Sequence, residues 1–95
     1  MSSGSPVQAR SFEIINKRGL HARASARFVQ TVEGFDAVVR VSREGSTVGG
    51  TSIMGLMMLA ASTGCSIDVE AEGPEAGEVL DALETLIADR FGEEA

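Results

Sequence analysis

Apolar and polar residues alternate over residues 11–15, where Phe12 and Ile14 are spaced by Ser11 and Glu13. That period of two predicts a strand with one buried face. The rhythm is cleanest over residues 65–72, where Cys65, Ile67, Val69 and Ala71 alternate with Ser66, Asp68, Glu70 and Glu72. Between them, residues 35–42 place Phe35, Ala37, Val39 and Val41 on one face, and Arg43, Glu44 and Gly45 turn the chain into a short strand over 46–48, predicting a hairpin. Three other stretches follow a helical period. Ala22, Ala26, Val29 and Val32 recur at spacings of three and four, predicting a helix over 22–32 closed by Gly34. Thr51 or Ser52 can cap a second helix that runs from Ile53 to about residue 63. Gly73 and Pro74 open a third, in which Val79, Leu80, Leu83, Leu86, Ile87 and Phe91 keep the period to near the end.

The order is strand, helix, strand, strand, helix, strand, helix. Four strands with one polar face suggest an antiparallel sheet, and three amphipathic helices can cover its apolar face. The expected class is α+β, a two-layer open-faced sandwich. One domain over residues 10–92 is expected, with a flexible leader at 1–9 and a short tail at 93–95. The leader lacks the basic flank and apolar segment of a signal peptide, and the longest apolar run, residues 53–61, is too short to span a bilayer.

Composition narrows the function. Fourteen acidic against eight basic residues give a net charge of -6, which opposes nucleic acid or anionic lipid as the main partner. A single cysteine, Cys65, forms no internal disulfide, and one histidine makes a metal site improbable. A soluble, monomeric cytoplasmic protein is the expectation.

That one histidine, His21, carries the only side chain with an ordinary pKa near neutrality. It follows a turn, Asn16-Lys17-Arg18-Gly19, and stands where a helix begins. The backbone N–H groups of Ala22, Arg23 and Ala24 would lack helical partners there, and the helix dipole would favour a bound anion over imidazolium. Arg23 adds a planar fork suited to phosphate oxygens, and Lys17 and Arg18 add positive potential to an acidic chain. The plain alternative is a histidine that only caps its helix, with Arg23 and Arg27 forming a solvated face.

The second helix has a different character. At 100° per residue Ile53, Leu56, Met57 and Ala60 share a face, and Met54 and Met58 widen the apolar arc beyond what packing on a sheet requires. Methionine adapts to several partners, so Met54 and Met58 are expected to face outward as a docking surface. Met57 suits either docking or burial.

Gly19-Leu20-His21-Ala22-Arg23, followed by Phe28-Val29-Gln30 and later by Thr51-Ser52-Ile53-Met54-Gly55-Leu56-Met57, resembles the HPr family of the phosphoenolpyruvate-dependent phosphotransferase system. The resemblance runs from about residue 12 to 91. It implies that His21 takes a phosphoryl group on Nδ1 from enzyme I and passes it to an enzyme IIA-type domain. Arg23 would support the phosphate, the N–H groups of Ala22, Arg23 and Ala24 would cradle it, and no cofactor is implied. Lys17, Arg18, Arg27, Ile53, Met54, Met57 and Met58 would meet the partners. Ser52 matches a serine that an HPr kinase/phosphorylase modifies in part of the family, and is otherwise an ordinary cap. Proline usually follows the arginine of the motif, and here Ala24 stands in its place, which leaves one more N–H free. The turn at 16–19 and the acidic, methionine-rich remainder resemble the nitrogen-related regulatory branch more than the sugar-transport branch. A binding-only regulator and a stand-alone acid–base enzyme are the rival readings; the second lacks another titrating group within the motif of His21.

Overall fold

The sheet is ordered around β4 (Ser66–Glu72). In this computed structural model, which describes residues 6–93, Ile67, Val69 and Ala71 of β4 are fully buried while Ser66, Asp68 and Glu70 face water. β4 pairs antiparallel with β1 (Gln8–Glu13) on one side and β2 (Val38–Arg43) on the other, and β2 pairs with β3 (Ser46–Gly49), giving the order β1-β4-β2-β3. Registers such as Phe12 opposite Ile67 and Val41 opposite Val69 put the apolar residues on one face. The β2–β3 turn holds Glu44 at φ 50° and Gly45 at φ 85°, the two left-handed residues that a tight hairpin turn requires.

Helices α1 (Ala22–Glu33), α2 (Ile53–Met58) and α3 (Ala76–Ala88) cover the apolar face, with α1 packed on α2 and α3, and α3 on β1 and β4. Phe28, Leu56, Leu80, Leu83 and Val79 fill the space between the layers and are fully buried. Each such side chain contributes roughly 1.5–3 kcal/mol by leaving water. The expected α+β sandwich is present. Among the described residues no helix is long and apolar enough to cross a membrane.

Four details differ from the sequence expectations. β1 starts at Gln8, which pairs with Ala71, so Gln8 and Ala9 belong to the sheet rather than to a leader; residues 1–5 lie outside the described residues, as do 94 and 95 of the expected tail. The buried stripe of α1 comprises Ala24, Ser25, Phe28, Val29 and Val32, while Ala22 is exposed. Phe28 has far more apolar surface to bury than Ala22, and the helix is turned accordingly. α2 stops at Met58 because Ala60 adopts φ 55°, a left-handed conformation that ends a helix. α3 begins at Ala76, so Pro74 precedes its first turn, and it ends at Ala88; Arg90 and Phe91 are then left-handed in a 3-10 turn, Arg90–Gly92, that reverses the chain. Phe91 is buried nonetheless.

Candidate functional site

The loop over 16–20 determines where α1 begins. Gly19 sits at φ 66°, and a Cβ there would lie 2.8 Å from Ser62 Cα, so only glycine lets this loop lie against residues 61–64. Three hydrogen bonds hold it there. Leu20 N donates to the Ala61 carbonyl at 2.9 Å, and Thr63 Oγ1 donates to the carbonyls of Asn16 and Lys17 at 2.6 and 3.0 Å. The buried Asn16 closes the loop from inside, its Nδ2 donating to the Gly19 carbonyl at 2.8 Å.

His21 follows with extended backbone, φ -75° and ψ -177°, as the N-cap of α1. Its carbonyl accepts the first helical hydrogen bond, from Ser25 N at 2.8 Å. Its Nδ1 accepts from Arg23 N at 3.2 Å. Nδ1 therefore carries a lone pair, and the ring hydrogen resides on Nε2. Nε2 lies 3.2 Å from Glu93 Oε2 and donates to it.

Glu93 is the residue that sequence reasoning missed. It is 72 positions from His21, in the segment expected to be a tail. The left-handed turn after α3 carries it back over the start of α1, where it also accepts from Asn16 Nδ2 at 3.4 Å and from Arg18 N at 3.3 Å. Burial works to raise its pKa, but hydrogen bonds from Asn16, from the backbone of Arg18 and Lys17 and from His21 outweigh that and hold the carboxyl below its usual range. It is a carboxylate at neutral pH. Gly92, which permits a chain reversal, is the local sign of a turn, but nothing in the sequence names its target.

These residues line an open cleft of about 800 Å³ formed by Lys17, Arg18, His21, Arg23, Phe91, Gly92 and Glu93. The side chain of His21 is 26% exposed and that of Glu93 14%, so the ring is reachable while its carboxylate partner is largely covered. Arg23 is exposed beside it. Arg27, one turn further along α1, lies against the chain reversal: a Cβ on Gly92 would come within 2.9 Å of Arg27 Nη1. The N–H groups of Ala22, Arg23 and Ala24 occupy the first turn, where no helical carbonyl precedes them. The cleft thus sets the first-turn donors of α1 beside three cationic side chains, Lys17, Arg18 and Arg23. Among the described residues no group of three or more His, Cys, Asp or Glu side chains is arranged to hold a metal ion.

Ser52 and the methionines are not part of this cleft. Ser52 caps α2, its Oγ accepting from Gly55 N at 2.9 Å, and it is exposed. Leu56 is the only fully buried residue of α2. Ile53, Met54, Met57 and Met58 are 41, 71, 41 and 77% exposed, forming an uncovered apolar ridge on the helix that packs beside α1. The exposure of Met57 places it with the outward-facing residues.

The family described as PTS HPr component phosphorylation site matches residues 8–89. The chain is 52% identical over 84 residues to the phosphocarrier protein HPr of Cupriavidus necator, covering 88% of this chain and 94% of that one. Its fold matches the crystal structure of HPr-C-His from Thermoanaerobacter tengcongensis with a TM-score of 0.87 at 42% identity, over 93% of this chain and 99% of that one. It also matches an HPr dimer from the same organism with a TM-score of 0.73 at 44% identity, over 86% and 94% of the two chains.

Proposed function

The chain belongs to the HPr family, the phosphocarriers of the phosphotransferase system, and from that premise we propose that His21 is the residue that carries the phosphoryl group. In this reading Nδ1 accepts it from phospho-enzyme I and gives it to an enzyme IIA-type domain. One observation supports the assignment above the others: Nδ1 has its lone pair free of hydrogen and directed at the first turn of α1. The nucleophile needs no deprotonation, and the N–H groups awaiting the new oxygens are already in place.

When phosphorus bonds to Nδ1, the Arg23 N–H loses the lone pair it now meets and turns to a phosphoryl oxygen. The Arg23 side chain supplies a fixed charge that an N–H cannot. Ala24 keeps the N–H that proline would lack, so the first turn offers three donors. Lys17, Arg18 and Arg27 set a positive rim, and Ile53, Met54, Met57 and Met58 give donor and acceptor a shared docking ridge. Ser52 is a second modification site in this reading. Its phosphate would keep the Gly55 N–H as a donor while adding about -1.5 to -2 charges to the ridge, weakening docking rather than unfolding α2.

Incubation with phosphoenolpyruvate, magnesium and a matching enzyme I is expected to add one acid-labile phosphoryl group by intact mass, and none to His21→Ala. Labelling of His21→Ala to the same extent would remove His21 from the role. Offering the labelled protein to sugar-type and nitrogen-type IIA domains in turn then reads which of them drains the label.

A further inference from the structure

The contact between Glu93 and His21 has no part in accepting phosphate oxygens, since a carboxylate repels them, and yet the chain maintains it under strain. Arg90 and Phe91 are both left-handed without being glycine, each at a cost of about 1 kcal/mol or more. Phe91 is anchored in the core, and the hydrogen bonds Gly92 N to the Asp89 carbonyl and Glu93 N to the Arg90 carbonyl, 3.0 and 2.9 Å, tighten the reversal. Its outcome is one carboxylate against the ring nitrogen that faces away from the first turn of α1.

We infer that Glu93 is a positioning residue for phosphoryl exchange: through Nε2–H it orients the imidazole with Nδ1 towards α1, and it stabilises the cationic ring that exists while Nδ1 is phosphorylated. This rests on the reading of His21 as the phosphoryl acceptor. The electron pair of Nδ1 forms the N–P bond as the bond from phosphorus to the donor's leaving atom breaks, and the donor keeps that electron pair. The Nε2 proton does not move. The ring thereby changes from neutral to cationic, and the charge is shared by Nε2–H, 3.2 Å from the carboxylate when unphosphorylated. On transfer to the acceptor the N–P pair returns to Nδ1 and a neutral imidazole leaves, which an Nε2-protonated ring permits and an imidazolate would resist. An oriented imidazole with a carboxylate behind it is the general device for a ring that becomes cationic during reaction. The other charges at the cleft, Lys17, Arg18 and Arg23, are positive, with Arg27 behind Gly92, so Glu93 is the one negative side chain among the cleft-lining residues.

The test uses a chemical phosphoryl donor, so that it does not depend on enzyme I. The ¹⁵N-labelled full chain and its Glu93→Gln variant are phosphorylated with phosphoramidate, and loss of the Nε2 proton from the phosphorylated ring is followed by ¹H–¹⁵N NMR against pH. The isosteric glutamine keeps an acceptor and removes the charge. Its midpoint is expected about one pH unit lower than the parent's, a tenfold change. A midpoint equal to the parent's overturns the inference. In the unphosphorylated protein a slowly exchanging Nε2–H signal is expected, and its loss in Glu93→Ala; a signal unchanged in that variant also overturns it. Failure of enzyme I to label the parent would instead strike the proposed function, leaving the ring measurement as it stands.

Discussion

The two capped helices α1 and α2 begin alike and are finished differently. Each opens with a side chain accepting from the backbone two or three residues on, His21 from Arg23 at 3.2 Å and Ser52 from Gly55 at 2.9 Å. α1 is 12 residues long, with five buried residues along its length, Ala24 and Ser25 of them in the first turn, and a second segment of the chain lies over its cap. α2 has six residues, one of them buried, and its cap faces open water. A capping side chain becomes a candidate for chemistry when other elements hold its far side, and a short, loosely embedded helix is better suited to being touched than to positioning atoms. The two regions accordingly divide the proposed work, α1 for the phosphoryl group and α2 for the partner.

The loop that leads to His21 is held against residues 61–64, whereas Gly49 at the end of β3 faces open space, so Gly19 and Gly49 should differ most. Gly19→Ala forces a Cβ against the backbone of residues 61–62 at a left-handed φ and is expected to cost about 2–3 kcal/mol in urea unfolding. Gly49→Ala, where a Cβ would meet nothing within 4 Å, should stay within about 0.5 kcal/mol. Equal losses would erase the contrast.

Met54→Glu addresses the docking half. With the side chain 71% exposed, stability should hold, while binding to enzyme I weakens about tenfold by titration calorimetry. Unaltered affinity would take Met54 out of the docking ridge. The smallest effect is expected at the α2 cap itself. Ser52→Ala removes the acceptor for Gly55 N and should lower stability by about 1 kcal/mol without changing the rate at which His21 is labelled. A slowed His21 reaction would mean that the two caps are not independent.

What could be read in the sequence was whatever short-range rules govern. The alternation through Ile67, Val69 and Ala71 named the central strand's buried face, Gly19 named a turn, and the excess of methionine on a short helix named an exposed ridge. Faces of α1 were harder, because an alanine-rich helix offers several weak stripes and only packing shows that Phe28 decides among them. The early stop of α2 follows from a left-handed alanine, Ala60, that no local preference announces. Glu93 lay furthest from reach. Its contact with His21 depends on Arg90 and Phe91 adopting conformations that neither residue favours, held by tertiary packing of Phe91. The carrier motif was legible as a local pattern, whereas the carboxylate behind it is a product of the whole fold.

The central claim is that the lone pair on Nδ1, held at the first turn of α1, is where phosphorus attaches. The most direct measurement is a phosphorus–nitrogen correlated NMR spectrum of the enzyme I-labelled, ¹⁵N-labelled protein, recorded with its backbone amide spectrum. The account predicts a ³¹P–¹⁵N coupling to Nδ1 of His21, with a large shift of the Arg23 amide as it changes acceptor and little change at the Gly55 amide. Coupling to Nε2, or an Arg23 amide that does not move, would contradict it.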